Sequence, residues 1–154
     1  MKFLKFLLII FISINSPIKA DSNQNIINEL KRGGNLIFIR HAYAPGGGDP
    51  KNFDIKDCKT QRNLSNSGRN QAEKIGTYFK ENNIPISKVY SSEWCRCKET
   101  ASIAFNNFKT KSFLNSFFSS RFAKKKDPQM KKLKTFISNW NENKNLVFVT
   151  HYVV

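Results

Sequence analysis

Short apolar runs alternate along the chain with segments whose apolar residues recur at helical spacing. Residues 35–40 and 145–150 are predicted strands, and each contains a continuous apolar run, as is typical of strands buried on both faces of a parallel sheet. A shorter run, residues 88–91, predicts a third strand, and the apolar segment 112–118 fits either a strand or a loop. Because strands alternate with helices, the pattern predicts a parallel sheet with helices on both faces.

Four segments place their apolar residues on one helical face: 23–32, 66–81, 93–105 and a last one that opens at residue 127. Their ends carry suitable residues. Gly33 and Gly34 follow the first helix, Ser65 can cap the second, and Pro128 suits the first turn of the last. The polar loop 42–63 is long enough to indicate a functional segment, with a flexible insertion as the alternative.

The N-terminal segment, residues 1–20, has the pattern of a secretory signal peptide. Two lysines precede an apolar stretch, residues 6–14, which is too short to span a bilayer, and the small residue Ala20 offers a cleavage site. The mature domain is then residues 21–154, exported to the periplasm or secreted, with no stable membrane anchor. An uncleaved anchor is the alternative.

The chain is strongly basic, with a net charge of +15 that falls to +12 without the three lysines of residues 1–20. Such a field attracts anions in general, including phosphorylated molecules, nucleic acid and anionic lipid. The basic residues are scattered apart from residues 124–126 and 131–132, and the chain is also rich in Asn, Ile and Phe. A compositional bias therefore explains the charge better than a nucleic-acid partner does.

The chain has three cysteines, Cys58, Cys95 and Cys97. An exported chain meets an oxidising compartment, so one disulfide involving Cys58 and one unpaired thiol is the simplest arrangement. Three cysteines and two histidines at these spacings do not form a metal-binding pattern.

Charged and polar residues follow three of the predicted strands. Arg40 and His41 come after the first strand, Thr150 and His151 come after the last, and Arg96 lies just beyond the middle one. Ligands of open α/β sheets bind at the carboxyl ends of the strands. Two histidines and two arginines at one edge of the sheet predict a catalytic site for an anion.

These residues belong to four sequence motifs: Arg40-His41-Ala42, Leu64-Ser65-Asn66-Ser67-Gly68-Arg69-Asn70-Gln71-Ala72, Ser91-Ser92 through Arg96 to Thr100-Ala101, and Val149-Thr150-His151. In this order and spacing the motifs resemble those of the histidine phosphatase superfamily, also called the phosphoglycerate mutase-like family. The resemblance covers roughly residues 35–151. The chain also resembles a subset of small exported members that carry the loop Ala44-Pro45-Gly46-Gly47-Gly48-Asp49-Pro50. The family resemblance implies a three-layer αβα sandwich with a mostly parallel central sheet.

The resemblance also implies a reaction. His41 would attack phosphorus and form a phosphohistidine, which water then hydrolyses. Arg40 and Arg96 would hold the phosphate, and His151 would add a donor when protonated. No metal or other cofactor is needed because the arginines supply the charge. The expected substrate is a phosphomonoester or a phosphoramidate, carried by a small molecule or by a macromolecule.

Several features depart from the family pattern. Ala42 replaces a glycine, and residues 113–118 contain no carboxylate where many members have a general acid. Glu93 could serve as that acid or could be a charge at a helix N-terminus. Arg62 could reach the phosphate, although a loop charge in solvent is the favoured interpretation.

The chain ends soon after the last strand, which indicates a domain without its C-terminal part. This feature and the missing acid leave a second hypothesis open: a catalytically weak or inactive anion-binding or interaction protein on the same fold.

The resemblance also suggests how the cysteines pair. Cys97 follows the phosphate-binding arginine, where relatives have a small packed residue, so it is expected to be buried and unpaired. Cys95 precedes that arginine and should face the loop that contains Cys58. We therefore predict a disulfide between Cys58 and Cys95.

Overall fold

The computed structural model describes residues 18–154, in which four helices and four strands alternate. The helices are α1 (Ile18–Arg32), α2 (Asn66–Glu81), α3 (Cys95–Phe105) and α4 (Lys126–Ser138). The strands are β1 (Leu36–Arg40), β2 (Ile86–Ser91), β3 (Lys109–Thr110) and β4 (Asn145–Thr150). None of these helices is long and apolar enough to cross a membrane. Most of the predicted signal peptide lies outside the described residues, so it stays a prediction.

The four strands form one parallel sheet in the order β1–β4–β2–β3. β4 lies between β1 and β2, and all six of its residues are buried. Successive side chains of a strand point to opposite faces. Val147 and Val149 accordingly pack into the core on one face, and Leu146 and Phe148 into the core on the other. This two-sided burial explains the continuous apolar run in the sequence and confirms the predicted parallel sheet.

Helices cover both faces of the sheet, as predicted. α2 and α3 pack on one face through Phe79, Cys97 and Ala101. α4 packs on the other face, where Leu133 is buried and Phe136 contacts the rings of three neighbouring aromatic residues, Tyr90, Phe113 and Phe148. The fold is therefore the three-layer αβα sandwich with a parallel central sheet that the motifs imply.

The element boundaries agree with the sequence pattern where capping and burial are strong. α2 begins and ends at the predicted residues, and the Ser65 hydroxyl accepts a hydrogen bond from the backbone N–H of Gly68. α1 begins earlier than predicted, at Ile18, and α3 begins at Cys95. β3 was not predicted because two residues give no periodicity. The ambiguous segment 112–118 is a short 3₁₀ turn followed by irregular chain.

The long loop 42–63 is anchored to the rest of the molecule rather than loosely inserted. Gln61 is buried; its amide donates to the carbonyl oxygens of Asp54 and Ile55 at 2.9 and 3.1 Å. Its side-chain oxygen accepts from the backbone N–H of Cys95 at 2.9 Å. One glutamine thus joins the loop to the start of α3.

A disulfide between Cys58 and Cys95 makes the same connection covalently. The two Cα atoms lie 5.6 Å apart, and Cys97 is a buried free cysteine. Both parts of the cysteine prediction are confirmed. Burial raises the pKa of the Cys97 thiol to about 12, so this cysteine is not a reactive thiolate.

We expect the variant Cys58→Ser to lower the free energy of unfolding by about 3 kcal/mol, because the bridge closes a loop between residues 37 positions apart. Urea denaturation measures the difference. Reductant should lower the stability of the wild type to that of the variant and leave the variant unchanged. A wild type whose denaturation midpoint is insensitive to reductant would contradict the prediction.

Candidate active site

A cavity of about 470 Å³ lies at the carboxyl edge of the sheet. All four site residues predicted from the sequence line it: Arg40, His41, Arg96 and His151. They meet there because β1 and β4 are adjacent parallel strands and α3 begins beyond the end of β2. The structure therefore brings the four residues together, and their chemical roles stay predictions at this point.

His41 is held as a neutral imidazole with one ring nitrogen available. Its backbone N–H donates to the carbonyl oxygen of Thr150 at 2.9 Å, which continues the pairing of β1 with β4. The ring Nδ1 lies 2.8 Å from the carbonyl oxygen of Ala42. A carbonyl oxygen only accepts, so Nδ1 carries the proton and Nε2 carries the lone pair. Burial and the nearby arginine charges, led by that of Arg96, lower the pKa of His41 to about 4.

His151 lies beside His41, with 5.5 Å between the ring centroids. A hydrogen bond of 3.0 Å joins its Nε2 to the hydroxyl of Ser92, and the indole of Trp94 packs against the ring. Burial, followed by the charge of Arg96, lowers the pKa of His151 to about 2. The ring is therefore neutral near neutral pH without a ligand, and its role as a donor when protonated stays a prediction.

Arg96 is buried and forms an ion pair with Asp49, a residue that the sequence analysis did not single out. One oxygen of Asp49 accepts from Nη1 of Arg96 at 2.8 Å and the other from Nη2 at 3.3 Å. The same carboxylate accepts from the indole N–H of Trp94 and the backbone N–H of Arg62, each at 3.0 Å. Burial alone would raise the pKa of Asp49, but these hydrogen bonds hold it below its ordinary value.

Arg62 also lines the cavity, so the interpretation of this residue as a loop charge in solvent is wrong. Its Nη1 donates to the carbonyl oxygens of Ala44 and Gly46 at 2.6 and 2.8 Å. Its Nε is buried, and so is Nε of Arg96. Within residues 18–154 neither atom has a hydrogen-bond partner. Two arginines that line the cavity thus each keep one buried guanidinium donor unpaired.

Glu93 is not brought into the cavity as a proton donor. Its carboxylate accepts from the side-chain amide of Asn115 at 2.6 Å, and its backbone N–H donates to the amide oxygen of the same asparagine. Asp49 is the one carboxylate among the described residues that line the cavity. Within residues 18–154, no three His, Cys, Asp or Glu side chains cluster in a way that could hold a metal ion.

Other motif residues build the support behind His41. Ala42 is buried without needing a left-handed backbone, and its N–H donates to the hydroxyl of Thr100 at 3.0 Å. A Cβ atom on Gly68 would overlap the carbonyl oxygen of Tyr43, so α2 can pack this closely only with glycine there. The motif at the start of α2 therefore fixes the segment that follows the histidine.

We expect the protein to lose stability as the pH falls below about 6.5. Both histidines have a lower pKa in the folded chain than the 6.5 of an unfolded one, so the unfolded chain binds more protons. Between pH 7.5 and pH 5 the free energy of unfolding should fall by about 2–4 kcal/mol. Urea denaturation at the two pH values measures the fall. His151→Gln should show about half of it, and an equal fall in this variant would contradict the assignment.

Comparison with known proteins supports this description. A family model for the histidine phosphatase superfamily (branch 1) matches residues 36–145. The comparison with curated proteins gives no match. Among solved structures, the chain is similar to a phosphoserine phosphatase mutant from Entamoeba histolytica in complex with phosphoserine, with a TM-score of 0.54 and 19% identity over 77% of this chain and 74% of that one.

The chain is also similar to the SixA protein of Agrobacterium tumefaciens, with a TM-score of 0.53 and 20% identity over 76% of this chain and 68% of that one. A third similar structure is the protein histidine phosphatase SixA complexed with tungstate, with a TM-score of 0.50 and 13% identity over 76% and 69% of the two chains. At such identities these structures show the fold alone. Because the family model matches well over half of the sequence, the chain belongs to the histidine phosphatase superfamily, branch 1.

Proposed function

We propose that this chain is a phosphatase that hydrolyses a phosphomonoester or a phosphoramidate through a covalent phosphohistidine on His41. The observation that carries the proposal is a neutral histidine with an available Nε2 in the same cavity as a buried, unpaired guanidinium donor of Arg96. A phosphoryl group in transfer spreads its charge over its non-bridging oxygens, and fixed cations stabilise that charge.

The reaction would proceed in two displacements. Nε2 of His41 attacks phosphorus in line, the N–P bond forms, and the bond from phosphorus to the leaving group breaks with its electron pair on the leaving group. Water then attacks phosphorus from the same cavity, the N–P bond breaks, and its electron pair returns to Nε2. The proton that the water loses passes to a phosphate oxygen and leaves with the product. The hydrogen bond from Nδ1 of His41 to Ala42 keeps the ring oriented through both steps.

The surrounding residues would hold the phosphoryl group. Arg40 and Arg96 offer guanidinium donors that remain charged throughout. His151 is neutral without a ligand, and a phosphate dianion beside it would raise its pKa and favour uptake of a proton from solvent. Phosphate binding would therefore convert His151 into a charged hydrogen-bond donor, which it is not in the free protein.

The cavity offers little help to a poor leaving group. Asp49, the one carboxylate found among its described lining residues, is tied to Arg96 and has a lowered pKa, so it does not carry a proton at neutral pH. We therefore propose substrates whose leaving group departs without protonation by the protein, such as an aryl ester or a phosphohistidine. The description of one similar structure, SixA, as a protein histidine phosphatase supports the second possibility.

Phosphate release from p-nitrophenyl phosphate tests the proposal. The wild type should release phosphate and be inhibited by tungstate, and esters of alcohols with a high pKa should react far more slowly. Phosphate binding without release from any of these esters would favour the alternative hypothesis, an anion-binding protein on the same fold.

We further propose that the chain works outside the cytosol, as its N-terminal pattern suggests. The disulfide between Cys58 and Cys95 supports an oxidising compartment. N-terminal sequencing of the protein recovered from its native cells would decide the point, with a start near Asp21 expected and an intact residue 1 contradicting cleavage.

A further inference from the structure

We infer that Arg62 is a third phosphate-binding arginine of the cavity and that it donates through Nε. The inference rests on the proposed function because it concerns the same phosphate. Nε of Arg62 is buried, it belongs to a residue that lines the cavity, and among the described residues it has no partner. A buried donor without an acceptor is costly, and a ligand oxygen would satisfy it.

The Arg62 guanidinium is fixed before any ligand arrives. Nη1 donates to the carbonyl oxygens of Ala44 and Gly46, which lie in the loop just after His41. The backbone N–H of Arg62 donates to Asp49. These contacts hold the side chain from both ends and leave the Nε edge unused. A donor ordered in advance loses little conformational entropy when it binds.

Asp49 fixes Arg96 so that its Nε, like that of Arg62, is left unpaired. The carboxylate accepts hydrogen bonds from Nη1 and Nη2 of Arg96. Nε of Arg96 therefore has no partner within the described part of the chain. Both arginines thus present their side edge rather than their end. Asp49 is in this sense a positioning residue, which acts on the phosphate through Arg96.

The charges in the cavity fit the same inference. Arg40, Arg62 and Arg96 carry three positive charges against the single carboxylate of Asp49, while both histidines are neutral. The resulting charge of two matches a phosphomonoester, which is close to a dianion at neutral pH. Without Arg62 the net charge of the cavity would be +1, which matches a monoanion instead. Burial and the charge of Arg96 lower the pKa of Arg62, and an anion bound between these cations would offset their repulsion.

Calorimetric titration with inorganic phosphate tests the inference without requiring turnover. In Arg62→Lys the ammonium group can still reach the loop carbonyls and the charge is kept, but the Nε donor is lost. We expect about tenfold weaker phosphate binding at an unchanged melting temperature, because a hydrogen bond to a charged group contributes this much. Arg62→Gln, which also removes the charge, should bind more weakly still.

Arg69→Lys is the matched control, since Arg69 pairs with Glu99 on the outside of α2 and α3 and does not line the cavity. It should bind phosphate like the wild type. Wild-type affinity in Arg62→Lys, measured where the variant is folded, would overturn the inference. If Arg62→Lys binds phosphate more weakly but the wild type hydrolyses no ester, the inference is supported and the proposed function is overturned.

A different observation identifies the chemistry of the leaving group. Besides its charged residues, the cavity is lined by three aromatic side chains, those of Trp94, Phe118 and Phe122, which we call the aromatic side. Its volume of about 470 Å³ lies in the range of small-molecule sites and exceeds what a phosphoryl group needs. Phe118 is 78% exposed, although it stands at the same cavity as His41.

We propose, again resting on the proposed function, that the aromatic side receives a planar aromatic leaving group of a small phosphomonoester. Flat aromatic groups gain from stacking or edge contacts with such side chains, and burying the ring removes the exposed area of Phe118 from water. The proposal favours an aromatic leaving group over the aliphatic hydroxyl of a phosphoserine or phosphothreonine protein, whose side chain carries no ring.

The ratio of kcat/KM for 1-naphthyl phosphate to that for phenyl phosphate tests this, since both esters release a phenolate and differ by one ring. We expect a ratio of about ten in the wild type, a value near one in Phe118→Ala, and the wild-type ratio in Tyr78→Ala, an exposed aromatic residue outside the cavity. A ratio unchanged by Phe118→Ala would contradict the proposal. Hydrolysis of none of them would instead overturn the proposed function.

Discussion

Replacing His41 with alanine is expected to abolish ester hydrolysis, with a loss of about 10⁴-fold or more in kcat. The reason is that Nε2 of His41 would be the atom that attacks phosphorus, and no other side chain can take over a covalent step. Initial rates with p-nitrophenyl phosphate measure the loss. Because His41 carries no charge in the folded protein, phosphate binding should persist.

His41→Asn is the sharper form of the same experiment. An asparagine amide can still donate to the carbonyl oxygen of Ala42, where Nδ1 of the histidine now lies at 2.8 Å, but it offers no nucleophile. The variant should be folded, bind phosphate and be inactive. Turnover above about a hundredth of the wild-type rate in this variant would rule out a nucleophilic role for His41.

The second large effect is expected at Arg96, where lysine should not substitute for arginine. Arg96 has a side chain only 5% exposed, and it contributes two hydrogen bonds to Asp49. Lysine is a point charge that cannot form this fork and also donate to phosphate. We expect Arg96→Lys to lower kcat/KM by about 10²–10³-fold and the free energy of unfolding by about 3 kcal/mol.

Arg69→Lys again serves as the comparison, because the pair of Arg69 with Glu99 is partly exposed and should change stability by less than about 1 kcal/mol. The kinetic comparison is made at a temperature where both variants are folded. If Arg96→Lys kept the wild-type kcat/KM there, the guanidinium fork would have no part in the reaction.

Much of the fold was predictable because its signals are local. A strand buried on both faces must be apolar throughout, and β4 shows this over six residues. α2 has a capping serine at its start and apolar residues at helical spacing, so both of its ends were correct. β3 has two residues and pairs only at Tyr90 and Ser91, so no local pattern marks it.

The residues of the candidate site were predictable where they come directly after a strand. His41 and His151 come directly after β1 and β4, and the parallel register places them side by side. Asp49 and Arg62 lie in one long loop, and their positions depend on contacts with Arg96 and Trp94 that no spacing reveals. The available signal was the presence of two charged residues, Asp49 and Arg62, in a glycine-rich, polar loop. Their role became clear only from the distances.

Glu93 shows the opposite case. It lies near Arg96 in the sequence, which made it a candidate acid, but its carboxylate is bound by Asn115, a residue 22 positions away. Side-chain direction at the start of a helix depends on such distant partners, and the sequence gives no estimate of them.

Trapping the phosphoenzyme tests the central claim most directly. Wild-type protein is mixed with an aryl phosphate labelled at phosphorus, denatured within milliseconds, and digested so that the labelled peptide can be sequenced by mass spectrometry. The account predicts an acid-labile, alkali-stable phosphoryl group on the peptide that contains His41, and no label in His41→Asn. Turnover by the wild type without any labelled histidine, or equal labelling of the two proteins, would contradict it.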